Sequence, residues 1–72
     1  MKKMYVIRNN ITKKFVQYID CIDGETSCAG TTDKIDGIGN PDKRYIKKLC
    51  KELNRSCFLP NVYEVWEIRK GV

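Results

Sequence analysis

The sequence predicts an α+β fold, in which one amphipathic helix packs on one face of a small antiparallel sheet and the elements follow the order β-β-β-α-β. Two observations lead to this prediction. Residues 40–55 repeat their apolar side chains at helical spacing, and the segments around them are short β-branched and aromatic runs bounded by turn residues. The chain, residues 1–72, is expected to form one domain, whose core stabilises the fold by only about 3–5 kcal/mol.

Residues 40–55 carry the clearest helix signal. Asn40 is expected to cap the first free amides, Pro41 suits the first helical position, and Asp42 places a negative charge at the positive end of the helix dipole. Asn54 is a plausible left-handed stop. The apolar side chains that would form one stripe toward the sheet are Tyr45, Ile46, Leu49, Cys50 and Leu53.

Three strands are predicted before the helix. Residues 4–7 and 14–22 are apolar runs with β-branched and aromatic members, and the polar residues between them indicate a hairpin loop of about four to five residues. Asp23 and Gly24 favour a two-residue type I′ turn into a third strand, in which Cys28 would lie opposite Ile19.

Opposed residues of this hairpin share a face of the sheet. Tyr18 and Ile22 are then expected to point away from the helix, and Gln17 would fall on the helix side, where a polar side chain fits poorly. The residues expected on the helix side are Phe15, Ile19, Cys21 and Cys28.

Residues 30–39 are predicted to form a connection in which the side chains of Ile35 and Ile38 are buried. Residues 61–69 read as the last strand, and the sequence leaves open which edge of the sheet it joins. Alternation divides the apolar residues of this strand into two sets. Those expected in the core are Val62, Trp66 and Ile68, and those expected on the other face are Tyr63 and Val65.

Two candidate binding surfaces follow from these faces. The first is an exposed sheet face with Tyr18, Tyr63 and Val65, because apolar and aromatic patches of this kind bind partners or dimerise. The second is the outer side of the helix, in a chain with 14 Lys and Arg against nine Asp and Glu. A solvated helix face explains such charges most simply, whereas an anionic protein surface or nucleic acid would also suit them. The helix cations are Lys43, Arg44, Lys47, Lys48, Lys51 and Arg55.

The four cysteines form two Cys-x6-Cys pairs, which are wider than the two to four intervening residues typical of zinc sites. Buried, unligated thiols are therefore favoured, with zinc or a disulfide as alternatives. We expect no cofactor. The weak candidates for metal ligands are Cys21, Cys28, Cys50 and Cys57.

Catalysis has little support in this composition. The chain has no histidine, so it lacks the commonest general base and the usual partner of a nucleophilic cysteine. It also lacks an apolar run long enough for a signal peptide or a membrane span, so we expect no membrane partner and a cytoplasmic location.

The opening MYVIRNNITKKFVQYID, the single helix and the closing YEVWEI strand resemble small uncharacterised proteins encoded by bacteriophages and integrated elements of low-GC bacteria. The resemblance covers most of the chain. It implies a cytoplasmic accessory protein that acts by binding, including as an inhibitor of a host defence or regulatory protein. It assigns no site residues, because these proteins share no common site.

We therefore expect a non-enzymatic binding protein that docks on a host macromolecule, with a protein partner favoured. The alternative is a sequence-independent nucleic-acid-binding module that uses the basic side of the helix. A second alternative is a zinc-stabilised structural or interaction protein. A homodimer through the sheet is also left open.

Overall fold

A computed structural model of the chain describes residues 2–35, 38–55 and 61–70. The elements are β1 (Lys2–Asn9), β2 (Phe15–Ile22), β3 (Glu25–Thr32), α1 (Lys43–Arg55) and β4 (Tyr63–Lys70). The four strands form one antiparallel sheet in the order β3-β2-β1-β4, and the helix packs on one face of it. The predicted α+β class and element order are confirmed.

β4 joins the sheet beside β1, which the sequence had left open. The two strands pair over eight consecutive residues, from Lys2 opposite Lys70 to Asn9 opposite Tyr63, without a register shift. Because β2 lies on the other side, β1 is an internal strand.

Asp23 and Gly24 form the predicted turn between β2 and β3. Their φ angles are +53° and +81°, which is the positive range that a type I′ turn requires at both central residues. Ile19 lies opposite Cys28, so the predicted register of this hairpin is confirmed.

The register of β2 against β3 shifts on both sides of Tyr18: the second shift leaves Ala29 as an extra residue in β3, and the first leaves Gln17 as an extra residue, a bulge, in β2. Because of this bulge, Val16 rather than Phe15 shares the helix side with Ile19. The prediction that Phe15 faces the helix was therefore wrong. A regular strand would have turned Gln17 toward the core, whereas the bulge leaves its side chain exposed.

β1 and β2 separate soon after the loop that joins them, residues 10–14. Asn9 Oδ1 organises this loop by accepting hydrogen bonds from two of its backbone N–H groups, at 2.9 and 3.1 Å. In the described part of the chain, β1 and β2 pair only at Arg8 and Phe15. The sheet is therefore split between these two strands for most of their length.

The connection from β3 to α1 returns to the edge of β1 in this split. Tyr5 N donates to Asn40 O at 2.9 Å, and Asn40 N donates to Tyr5 O at 3.0 Å. Gly39 takes φ +111°, a value that side chains disfavour, where the backbone passes close to β1. Ile38 is buried, as predicted, but Ile35 is exposed, so the prediction that Ile35 is buried was wrong.

α1 begins at Lys43, because Asp42 rather than Asn40 is its N-cap. Asp42 Oδ1 accepts hydrogen bonds from the N–H groups of Arg44 and Tyr45, at 3.0 and 3.2 Å. Asn40 cannot take the predicted capping role, since its backbone pairs with β1 and its side chain accepts the Asp42 N–H at 2.8 Å.

The apolar side of α1 packs on the sheet. Ile46, Cys50 and Leu53 are buried, Leu53 to the extent that only 2% of it is exposed, and Leu49 is partly buried. Tyr45, which was predicted in the same stripe, is 49% exposed. At 3.6 residues per turn, Tyr45 lies about 90° around the helix from the centre of the stripe.

Both faces of β1 are covered. Ile7 belongs to the cluster under α1, whereas Val6 belongs to a second cluster with Ile38 and Ile68. Adjacent residues of a strand point to opposite faces, so the second cluster lies on the side of the sheet away from α1.

The predicted faces of β4 were reversed by this second cluster. Tyr63 and Val65 pack under α1, whereas Ile68 is buried on the opposite face and Trp66 contacts Phe15 there. Alternation alone cannot identify the helix side when both faces of a strand bury apolar side chains. The prediction for Val62 is confirmed only in part, because this residue is buried but precedes β4.

Asparagine side chains connect the loops to the body of the fold. Asn54 Nδ2 donates to Tyr63 O at 2.9 Å, and Tyr63 N donates to Asn54 Oδ1 at 2.8 Å, which joins the end of α1 to the start of β4. Asn10 donates to Val62 O through its backbone and to Asn61 O through its side chain, both at 2.8 Å. The sequence had indicated only a helix stop at Asn54.

Candidate functional site

The six cations predicted on the outer side of α1 form one exposed surface, here called the basic face. The opposite side of the helix holds the buried Ile46, Cys50 and Leu53. Glu52, the only acid of α1, accepts a hydrogen bond from Thr26 Oγ1 of β3 at 2.9 Å and so turns toward the sheet. The basic face consists of Lys43, Arg44, Lys47, Lys48, Lys51 and Arg55, all of them exposed.

No cation of the basic face takes part in an ion pair with another described residue. The ion pairs of the described chain are Lys3 with Glu67 at 3.7 Å and Arg8 with Glu64 at 3.4 Å. Lys43 Nζ lies 5.8 Å from the centroid of the Tyr5 ring, a contact that leaves its charge in place. The basic face is therefore a concentrated positive surface.

The prediction of which residues form the exposed sheet face was wrong for two of its three residues. Tyr18 is 63% exposed, and so is its neighbour on that face, Ile22, at 66%. Tyr63 and Val65 instead pack against the cluster under α1. The other alternate residues of β4 point to the face of the sheet away from α1, here called the outer face. Trp66 is exposed there in their place.

Arg8 and Trp66 form a cluster on the outer face that sequence reasoning missed. The Arg8 guanidinium carbon lies 4.4 Å from the centroid of the Trp66 ring, and Glu64 Oε1 accepts hydrogen bonds from Arg8 at 3.4 Å and from Trp66 Nε1 at 2.9 Å. Phe15 meets the Trp66 ring edge-on, with centroids 6.0 Å apart. Only the pairing of β1 with β4 brings these side chains together, and the sequence did not determine that pairing.

A cleft of about 320 Å³ opens where β1 and β2 separate. One wall is β1, the other is the first half of β2, and Ile46 of α1 closes one side. No motif in the sequence pointed to this cleft, since it depends on how far two neighbouring strands diverge. Its lining includes Tyr5, Ile7, Val16, Ile19 and Asn40.

The described cysteines differ in burial. Cys21 is exposed, Cys28 is partly buried and Cys50 is buried, and each is a free thiol. Among the residues that the structure describes, no three potential metal ligands come together. Cys57 lies outside the described residues. Burial, and secondarily the negative charge of Glu64, raises the pKa of the Cys50 thiol above its ordinary value.

No helix in the described part of the chain is long and apolar enough to cross a membrane. Comparisons with protein-family models, with curated proteins and with solved structures found no match for this chain. No residue role is therefore transferred from a relative, and the candidate surfaces rest on their geometry.

Proposed function

We propose that the protein is a non-enzymatic binding protein that docks on an acidic surface of another protein through the basic face. The observation that carries this proposal is the fixed placement of six exposed cations on one side of a helix whose other side is buried. Between Lys43 and Arg55 the helix axis spans about 18 Å at 1.5 Å per residue. The fields of these charges therefore add over one surface.

The arrangement is unfavourable for the isolated helix. Lys47 is four residues from both Lys43 and Lys51, and like charges at this spacing destabilise a helix by about 0.2–0.5 kcal/mol per pair. Lys43 and Arg44 also lie in the first turn, at the positive end of the dipole, where the Asp42 cap supplies one negative charge against these two cations. An anionic partner would relieve both effects.

Tyr45 supports a protein partner. Tyr45 is half exposed on α1, and Lys48 of the basic face lies three residues later, a spacing at which side chains are neighbours on a helix surface. Tyrosine and arginine are enriched where proteins bind each other. In keeping with the resemblance to phage-encoded proteins, the partner would be a cytoplasmic protein of the bacterial host, such as a defence or regulatory protein.

Nucleic acid is the second candidate for the same face. Four of its six cations are lysines, which neutralise phosphates without reading bases, and the face has no Asn or Gln to contact base edges. Such binding would be independent of sequence. It would also weaken steeply as salt is raised, because each neutralised phosphate releases counterions.

The experiment is capture from bacterial lysate by the full chain, with and without nuclease, across a salt series. The test variant carries Lys47→Glu, Lys48→Glu and Lys51→Glu. The matched control carries Lys13→Glu, Lys14→Glu and Lys34→Glu, which make the same charge change at exposed positions outside α1. Circular dichroism checks that both variants remain folded.

We expect a defined protein to be captured whether or not nuclease is present, to be lost with the helix variant and to be retained by the control. Capture that requires nucleic acid and falls steeply with salt replaces the protein partner with the second candidate. Capture that is equal for both variants, or no capture by the unmodified chain, rejects the basic face as a binding surface.

A further inference from the structure

Among the residues that the structure describes, no strand lies beside part of the edge of β2 that faces β1. Ile22 and Glu25 flank a two-residue turn and form a hydrogen-bonded pair, so bonding to β3 alternates along β2 from that pair. The backbone N–H and C=O groups of Ile19 and Cys21 consequently point away from β3. Within the described chain, β1 pairs with β2 at a single position near the loop, so no described strand bonds to these two residues.

The open edge adjoins the cleft between β1 and β2. Ile7, Val16 and Ile46, which are all buried, give the cleft an apolar side toward α1. On the opposite side of the split, the backbone of Asn40 forms two hydrogen bonds with Tyr5 of β1, as an added antiparallel strand would. Extended backbone is therefore already accommodated in this split, and no described strand pairs with the edge of β2 at Ile19 and Cys21.

The charges near the open edge define which segment would fit. Residues 15–32 contain no Lys or Arg, although the whole chain has 14 of them. They contain three acids, Asp20, Asp23 and Glu25, which are exposed toward the free end of the hairpin. The hairpin is thus an acidic region in a chain of net charge +5 and attracts cations.

We propose that the open edge of β2 binds an extended segment of a partner protein in which apolar residues alternate with Lys or Arg. The backbone of the segment pairs with Ile19 and Cys21, its apolar side chains enter the cleft beside Ile7, and its cations lie toward Asp20. Main-chain hydrogen bonds supply affinity in strand addition, and the pockets for alternate side chains supply specificity. This site is separate from the basic face and does not rest on the proposed function.

The test begins with selection of random eight-residue peptides, displayed on phage particles, against the immobilised full chain. The most enriched peptide is then synthesised and added to ¹⁵N-labelled chain. We expect enriched sequences to alternate apolar residues with Lys or Arg and to lack Pro, and we expect the peptide to slow amide exchange at Ile19 and Cys21 at least tenfold. A peptide N-methylated at alternate backbone nitrogens should bind at least tenfold more weakly.

Charge variants locate the site on the chain. Asp20→Lys should weaken peptide binding at least tenfold, whereas Asp33→Lys, an equal change at an exposed position outside the hairpin, should leave it within twofold. Lys47→Glu with Lys48→Glu should not weaken it, which separates this site from the basic face. No enrichment, enrichment without alternation, or equal binding of the N-methylated peptide overturns the proposal.

Discussion

The pair of strands β1 and β4 and the hairpin of β2 and β3 are both two-stranded antiparallel ladders, yet they differ greatly in burial. In β1, Val6 and Ile7 are each 3% exposed although they point to opposite faces. In β2, Tyr18 and Ile22 are largely exposed. The two ladders therefore contribute unequally to the free energy of unfolding, because the stability of a small sheet comes mainly from the apolar surface that neighbouring elements cover.

The cover is distributed unevenly because of the face of the sheet away from α1. On the helix side, the cluster under α1 includes Ile7 of β1 and Val16 of β2, and the buried Thr26 of β3 donates a hydrogen bond to Glu52. On the opposite face, the second cluster buries Val6 and Ile68 but takes only Phe15 from the described part of the hairpin. We call β1, β4 and α1 the body of the molecule. The comparison indicates that the body contributes more buried apolar surface to the stability of the fold than the hairpin does.

The comparison is tested most strongly by removing apolar side chains from the two regions. Leu53→Ala in the body should lower the free energy of unfolding by about 2–5 kcal/mol, because it leaves a cavity beneath α1. Ile22→Ala in the hairpin should change it by no more than about 0.5 kcal/mol. Urea unfolding measures both values. Similar losses for the two variants would contradict the unequal contribution of the two regions to stability.

Asn54→Ala should have the next largest effect within the body. It removes both hydrogen bonds to the backbone of Tyr63, so we expect a loss of about 1–3 kcal/mol in the free energy of unfolding. Lys48→Ala is the control on the exposed side of α1. A loss at Asn54 no greater than that at Lys48 would mean that this connection between α1 and β4 does not contribute.

Asp42→Ala tests the start of α1. Loss of the cap should lower the free energy of unfolding by about 1 kcal/mol, whereas Asp42→Asn should retain most of it because asparagine is an equally good capping residue. Thermal or urea unfolding of the three proteins measures the difference. Equal losses in both variants would assign the effect to charge rather than to capping.

The pH dependence of stability should show a smaller effect of Cys50. Its folded-state pKa is raised, so the neutral thiol stabilises the fold fully below the ordinary thiol pKa, and this stabilisation is lost as pH rises through the raised value. The free energy of unfolding should fall less steeply between pH 8 and pH 10 in Cys50→Ala than in the unmodified chain. Identical slopes for Cys50→Ala and the unmodified chain would contradict the burial of the Cys50 thiol.

The features that the sequence predicted are those that local chemistry determines. The turn at Asp23 and Gly24 sets the hairpin register, and helical periodicity separates the basic face from the buried side of α1. The bulge at Gln17 and the reversed faces of β4 depend on what covers each side of the sheet. The cleft depends on the divergence of two strands, which no local pattern records.

Amide hydrogen exchange, resolved by residue, tests most directly the central claim of a closed body and an open hairpin edge. The Val6 amide should be among the most protected, because Val6 lies in a ladder covered on both faces. Ile19 and Cys21 should exchange at least tenfold faster than Asp20 and Ile22, whose amides point toward β3. Protection of Ile19 and Cys21 equal to that of these two neighbours would contradict the open edge.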